Sequence, residues 1–272
     1  MYPPAFEYVR PTSLGEALRI LEEREDAAPI AGGQSLIPLL KLRAVSYGLL
    51  VDINKVSELR YAKYGEVVEL GALTRHYELE ESPCPFLRQV AVRIGDVQIR
   101  SLGTLGGSLA HADPFGDWPA AMLALGAVVE VAGAAGVREV AIDDFIKGPY
   151  STALERGELI VGVRFKCPER GAYVKFSRRH NDFALAAVAV AGSVKDGHVI
   201  DVRIAALGAA DRPVRLKKAE AVLAGAPLKP EVVAEAVDAA MKEAEPPSDF
   251  RASAEYRRHL VGAALKRALG AL

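Results

Sequence analysis

Cysteine is scarce in this sequence: Cys84 and Cys167 are the only two, each beside a proline. Two thiols cannot build a disulfide framework or, by themselves, ligate an iron–sulfur cluster, and a reducing cytoplasm is the expected compartment. An excess of charge of either sign is missing as well. Lys plus Arg number 34 and Asp plus Glu 35, a net charge of −1, which gives no long-range pull toward nucleic acid or an anionic membrane. Long apolar runs are absent. The longest, over 118–129 and 183–194, fall short of the ~20 residues that a bilayer-spanning helix needs. No basic start followed by an apolar stretch marks a secretory signal. What is present is ordinary for a folded protein: 272 residues, half of them hydrophobic and a quarter charged, enough for one large domain or two smaller ones.

Residue patterning assigns the elements. Ser13–Glu16 has the spacing of a capping box, and Leu14, Ala17, Leu18 and Leu21 follow at helical intervals. Further helices are predicted over 36–42, 85–94, 117–125, 216–223, 230–245 and 254–269, and strands over 48–53, 67–73, 159–165, 173–177, 183–194 and 199–207. Residues 128–131 and 139–142 flank a Gly133–Gly136 turn as a hairpin, and Asp196-Gly197 is a second hairpin signal. Near residue 172 the texture changes from mixed elements to strands followed by helices. This predicts an α+β chain of two domains, 1–172 and 173–272, with no internal repeat.

Two glycine-centred segments carry the chemical interest. Ala31, Gly32, Gly33, Gln34 and Ser35 lie between a short apolar run and a helix. Consecutive glycines let a ligand approach the backbone, and successive N–H groups turned into one concavity suit a pyrophosphate. Thr104, Leu105, Gly106, Gly107 and Ser108 repeat the pattern and run on into His111-Ala-Asp113-Pro114. The residues alone leave open whether these are two unrelated turns or two grips on one dinucleotide. Other signatures are missing: no Gly-x-Gly-x-x-Gly, no Gly-Lys dipeptide of a P-loop, no His-Glu-x-x-His, no Gly-x-Ser-x-Gly elbow. The five histidines are scattered, and most of them read as surface or hydrogen-bonded structural residues. Trp118 reads as core or interface. The basic runs 178–180 and 215–218 read as solvated surface, and Arg257-Arg258 as the polar side of the last helix.

The segments "AGGQSLIPLLKLR" (31–43) and "GDVQIRSLGTLGGSLAHADPFGDWPA" (95–120) resemble the FAD-binding medium subunits of the molybdenum hydroxylases, the group that includes xanthine dehydrogenase, aerobic carbon monoxide dehydrogenase and aldehyde oxidoreductase. "SRRHNDFALAAVAVA" (177–191) and "SDFRASAEYRRHL" (248–260) are similar to later signatures of the same group, so the resemblance spans nearly the whole chain. It implies a two-lobed FAD-binding domain of the vanillyl-alcohol-oxidase type, with lobes of about 1–55 and 56–172, followed by a small antiparallel sheet with a helix layer.

The resemblance also implies a site. Both glycine segments would hold the FAD pyrophosphate, mainly through backbone N–H groups. Asp117, Thr74, Ile160 and Lys175 match family positions near the cofactor, and Asp182 and Phe183 would approach the flavin ring. Gln34 stands where many relatives have His, so FAD is expected to be non-covalent. The implied partners are a small subunit with [2Fe–2S] clusters and a large molybdopterin subunit, assembled as a dimer of heterotrimers. Electrons would pass from the clusters through FAD to a terminal acceptor, with no catalytic residue of this chain's own. The substrate and the acceptor stay open. A self-sufficient flavin oxidase and a flavin-free scaffold are the alternatives.

Overall fold

The computed structural model, which describes residues 2–180 and 182–272, opens on a small parallel sheet. β1 (Glu7–Val9), α1 (Leu14–Glu23), β2 (Ala27–Ile30), α2 (Leu36–Leu42) and β3 (Leu49–Asp52) follow in the chain, and the strands lie in the order β1-β3-β2. β3 is buried at every position, as a central parallel strand covered on both faces must be. Leu49 and Val51 share a cluster with Ala17 and Leu21 of α1, while Leu50 joins Leu40 of α2 on the other face. At the start of α1 the Ser13 hydroxyl accepts from the Glu16 N–H, and the Glu16 carboxylate accepts from the N–H of Thr12.

A second, antiparallel sheet follows. Its elements are β4 (Ala62–Tyr64), β5 (Val68–Gly71), α3 (His76–Glu80), α4 (Pro85–Ala91), α5 (Val97–Leu102), α6 (Leu105–His111), α7 (Asp117–Leu125), β6 (Val128–Gly133), β7 (Gly136–Ala141), α8 (Ile142–Phe145), the short pair β8 (Ile146–Gly148) and β9 (Ser151–Thr152), and β10 (Leu159–Phe165). Five of the strands lie in the order β4-β5-β10-β6-β7. Phe86, Leu87, Leu105, Leu109 and Trp118 from the helices pack with Leu70, Val129 and Val163 of this sheet.

The remainder is β11 (Arg170–Ser177), β12 (Ala184–Lys195), β13 (His198–Leu207) and β14 (Val214–Arg215) in one antiparallel sheet, then α9 (Lys217–Leu223), α10 (Pro230–Glu243) and α11 (Ala254–Leu269). β12 is apolar along most of its length because both of its faces are covered. Ala186, Val188 and Val190 join the cluster of α9 to α11, and Ala187, Ala189 and Ala191 join the cluster that contains α7. α7 thus lies between the two antiparallel sheets and is buried from Asp117 to Ala124. A helix apolar all round has to be enclosed in this way.

Several features differ from the sequence reading. α3, α5, α6 and α8 were not foreseen. None exceeds 7 residues, which is too short for helical periodicity to show. Cys84 and Cys167 form a disulfide across a separation of 83 residues. Counting cysteines could not show that the N-cap of α4 and the end of β10 lie side by side, so the cysteine argument for a reducing compartment falls. Arg257, expected on the polar face of the last helix, is fully buried.

Candidate functional site

The first glycine segment joins β2 to α2. Gly33 has φ +69°, the left-handed region that favours glycine. The Gln34 amide folds back, its Nε2 donating to the Gly32 carbonyl at 3.0 Å. Among the described residues, no acceptor takes the backbone N–H of Gly32, Gly33, Gln34 or Ser35. Four successive amide donors are thereby left for a ligand.

The second glycine segment lies directly against the first. A Cβ on Gly32 would sit 2.2 Å from the Leu102 carbonyl oxygen and 2.7 Å from the Gly103 Cα, so only glycine permits the contact. A Cβ on Gly107 would lie 4.0 Å from that of Ala31. The two segments, far apart in sequence, form one surface.

The second segment is built differently from the expectation. Residues 105–108 are the first turn of α6, capped by Thr104, whose hydroxyl accepts from the Gly107 N–H at 3.1 Å. The Leu105 N–H donates to the Thr74 carbonyl and the Gly106 N–H to the Ala72 carbonyl, both at 2.9 Å. These amides are engaged inside the protein, so the expectation that this segment acts mainly through N–H groups needs correction. It offers a bare glycine surface at Gly107 and the half-buried Ser108. Gly106 is required because its Cβ would meet that of Ala72 at 2.6 Å.

Thr74 and Ile160 stand behind this segment. Thr74 is buried and its hydroxyl donates to the Tyr61 carbonyl at 3.2 Å. The Ala72 N–H donates to Val161 at 2.8 Å, which brings in β10 and with it the buried Ile160.

Asp117, Lys175, Asp182 and Phe183 lie elsewhere. Asp117 opens α7, and its carboxylate accepts from Lys175 Nζ at 2.9 Å and from the Tyr173 hydroxyl. Lys175 also donates to the Arg93 carbonyl, and its side chain is only 3% exposed. Burial pushes the Asp117 carboxyl up, opposed by Lys175 and the Tyr173 hydroxyl, and burial also pushes the Tyr173 phenol up. Asp182 and Phe183 occupy the turn before β12. Phe183 is exposed, with the Arg251 guanidinium 5.4 Å from its ring centre.

Two of the residues that matter here, Arg75 and Asn54, carry no sign in the sequence, and a third, His76, shows only as one of the scattered histidines. Arg75 donates to the Leu102 carbonyl and to Asn54 Oδ1, while Asn54 Nδ2 donates to the Ala31 carbonyl at 2.7 Å. Arg75 and Asn54 together tie the two glycine segments. His76 is buried, and its Nδ1 accepts from Trp118 Nε1 at 3.0 Å, so its proton sits on Nε2. Its backbone N–H donates to the Gly103 carbonyl, and burial lowers its pKa to about 3. No local motif marks these residues, because their partners are distant in sequence.

Unpaired amides beside a glycine surface suit the pyrophosphate of a dinucleotide. Fold and site together have the character of a dinucleotide-binding protein. The chain belongs to the molybdopterin dehydrogenase family: residues 4–166 match its FAD binding domain and residues 171–272 match the CO dehydrogenase flavoprotein C-terminal domain. It is 39% identical to the glyceraldehyde dehydrogenase medium chain of Sulfolobus acidocaldarius over 96% of either chain. It is also 39% identical to the nicotine 6-hydroxylase medium subunit of Paenarthrobacter nicotinovorans, covering 98% of this chain and 96% of that one. Among solved structures, a carbon monoxide dehydrogenase from Hydrogenophaga pseudoflava that lacks the Mo-pyranopterin moiety superposes with a TM-score of 0.96 at 40% identity, covering 100% of this chain and 98% of that one. The chain is an FAD-binding oxidoreductase subunit of medium-chain type. Among the described residues, no helix is long and apolar enough to cross a membrane.

Proposed function

We propose that this chain carries non-covalent FAD as the electron-transfer subunit of a molybdenum hydroxylase. Its partners would be a small [2Fe–2S] subunit and a large molybdopterin subunit in a dimer of heterotrimers. The observation that carries the reading is the contact of the two glycine segments beside four unpaired amides. On this reading Ala31–Ser35 bind the pyrophosphate by N–H donation, and Gly107 and Ser108 close over its other side. Thr104, Leu105, Gly106, Thr74 and Ile160 hold that wall in place. Asp117 and Lys175 contact the cofactor from the junction with β11, and Asp182 and Phe183 approach its ring.

Bound FAD supplies a centre that accepts and releases electrons singly or in pairs. The chain's own residues bind it, orient it and set its electrostatic surroundings. We place the domains at 1–172, with lobes of about 1–55 and 56–172, and 173–272. We place the protein in the cytoplasm, as its family resemblance implies, where a disulfide such as Cys84–Cys167 is uncommon.

The test is titration of the purified chain with FAD, followed by acid release and identification of the flavin. Near one acid-releasable FAD per chain supports the proposal. A chain that binds no flavin even with both partner subunits present overturns it. Turnover of a small organic substrate by the isolated chain favours a self-sufficient oxidase instead.

A further inference from the structure

Arg257 is a charged residue where the rest of its helix face is apolar. It lies one turn before Val261 and two before Leu265, both fully buried, and it is itself 0% exposed. Burying a guanidinium without purpose is costly, and an aliphatic residue would fill the space at less expense. Its partners show what the charge does. Nη2 donates to Asp249 Oδ2 at 2.7 Å, and Nη1 donates to the Leu185 carbonyl. The guanidinium carbon lies 4.8 Å from the ring centre of Phe115, and among the described residues Nε finds no acceptor. A cation over an aromatic face is held by the ring quadrupole, and desolvation strengthens the attraction.

Phe115 is not part of the C-terminal domain. It belongs to the turn between α6 and α7, where the Phe115 N–H donates to Asp113 Oδ1 at 2.8 Å and the Gly116 N–H to the Asp113 carbonyl at 2.9 Å. That turn delivers Asp117, whose carboxylate is gripped by Lys175 and Tyr173 of β11. Within residues 113–118, Phe115 and Asp117 are therefore each held by side chains from beyond residue 170. Asp249 does further work, accepting from the N–H groups of Arg251 and Ala252. This fixes the turn from which Arg251 reaches the Phe183 ring.

We infer that Arg257 is a positioning residue of the flavin site. Through Phe115 it fixes the α6–α7 turn and hence Asp117, and through Asp249 it fixes Arg251 against Phe183. The inference rests on the FAD reading, so its test has two readouts that need flavin and two that do not. The variants are Arg257→Met, Arg257→Lys and Phe115→Leu, with Val261→Ala in the same buried face of α11 as a control for loss of stability. The measurements on the purified full chain are the FAD dissociation constant, the visible spectrum of bound flavin, the thermal midpoint, and amide hydrogen exchange of residues 113–118 without flavin.

Arg257→Met is expected to raise the FAD dissociation constant at least tenfold, to shift the flavin absorbance band, and to speed exchange at 113–118 at least tenfold. Phe115→Leu is expected to follow it and Arg257→Lys to recover part of each effect. Val261→Ala is expected to lower the thermal midpoint while leaving affinity, spectrum and the 113–118 amides unchanged. Wild-type affinity and exchange in Arg257→Met, or equal losses in Val261→Ala, overturn the inference. If the wild type binds no flavin, the FAD reading falls, while the exchange data still decide whether Arg257 holds the turn.

Discussion

Gly32 and Leu102 meet so closely that a Cβ on the first would stand 2.2 Å from the carbonyl oxygen of the second. This contact joins the parallel-sheet lobe to the helices of the antiparallel one. It also sets the unpaired amides of residues 32–35 beside the glycine surface of α6.

Gly32→Ala cannot keep that contact, because both opposing atoms belong to the backbone. The variant is expected to bind FAD at least ~10-fold more weakly, about 1.4 kcal/mol, with a lowered melting temperature. Gly15→Ala, exposed in α1 with nothing near its would-be Cβ, is the control and is expected to retain wild-type affinity. Fluorescence titration with FAD compares the two.

The Asp117–Lys175 pair is buried on both sides. Lys175→Met leaves the carboxylate without its cation and is expected to destabilise the protein by about 3–5 kcal/mol. Adding Asp117→Asn to that variant removes the orphaned charge and is expected to restore part of the loss. Urea unfolding of both single variants and the double gives the coupling energy.

His76 makes stability depend on pH. Its folded pKa of about 3 lies below the ordinary value of 6.5, so between these limits the unfolded chain binds a proton that the folded chain refuses. Its contribution is complete above pH 6.5 and is lost as pH falls toward 3, by about 1.4 kcal/mol per unit. His76→Gln keeps an acceptor for Trp118 and has nothing to protonate. Unfolding free energies measured from pH 7 to 5 should fall less steeply in this variant than in the wild type; equal slopes refute the assignment.

The Cys84–Cys167 bond closes a long loop, 83 residues in sequence separation. Loop-closure entropy gives it about 4–5 kcal/mol of stabilisation. Cys84→Ser with Cys167→Ser, or reduction of the wild type, is expected to lower the thermal midpoint, which scanning calorimetry reads directly. The double variant should then be insensitive to reductant.

Local signals in the sequence are enough to mark the longer regular elements. Residues 159–165 and 254–269 carry enough periodicity that strand and helix were assigned with the bounds observed. Both glycine segments stood out by composition. Their contact did not, because it depends on where Leu102 and Gly103 turn after α5. Nor did the engagement of the Leu105 and Gly106 amides, whose acceptors lie in the 72–74 stretch. Arg257 had a readable signal, since it shares a helical face with Val261 and Leu265. Its charge pointed outward by default, and its partners Phe115, Leu185 and Asp249 lie on three other segments. His76 with Trp118 and Cys84 with Cys167 likewise pair over distances that no short pattern records.

Amide hydrogen exchange with and without FAD tests the pyrophosphate assignment most directly. FAD is expected to slow exchange at Gly32, Gly33, Gln34 and Ser35, whose N–H groups have no acceptor among the described residues. No change is expected at Leu105 and Gly106, already bonded to Thr74 and Ala72. Protection at Leu105 and Gly106 with none at residues 32–35 would contradict the pyrophosphate assignment.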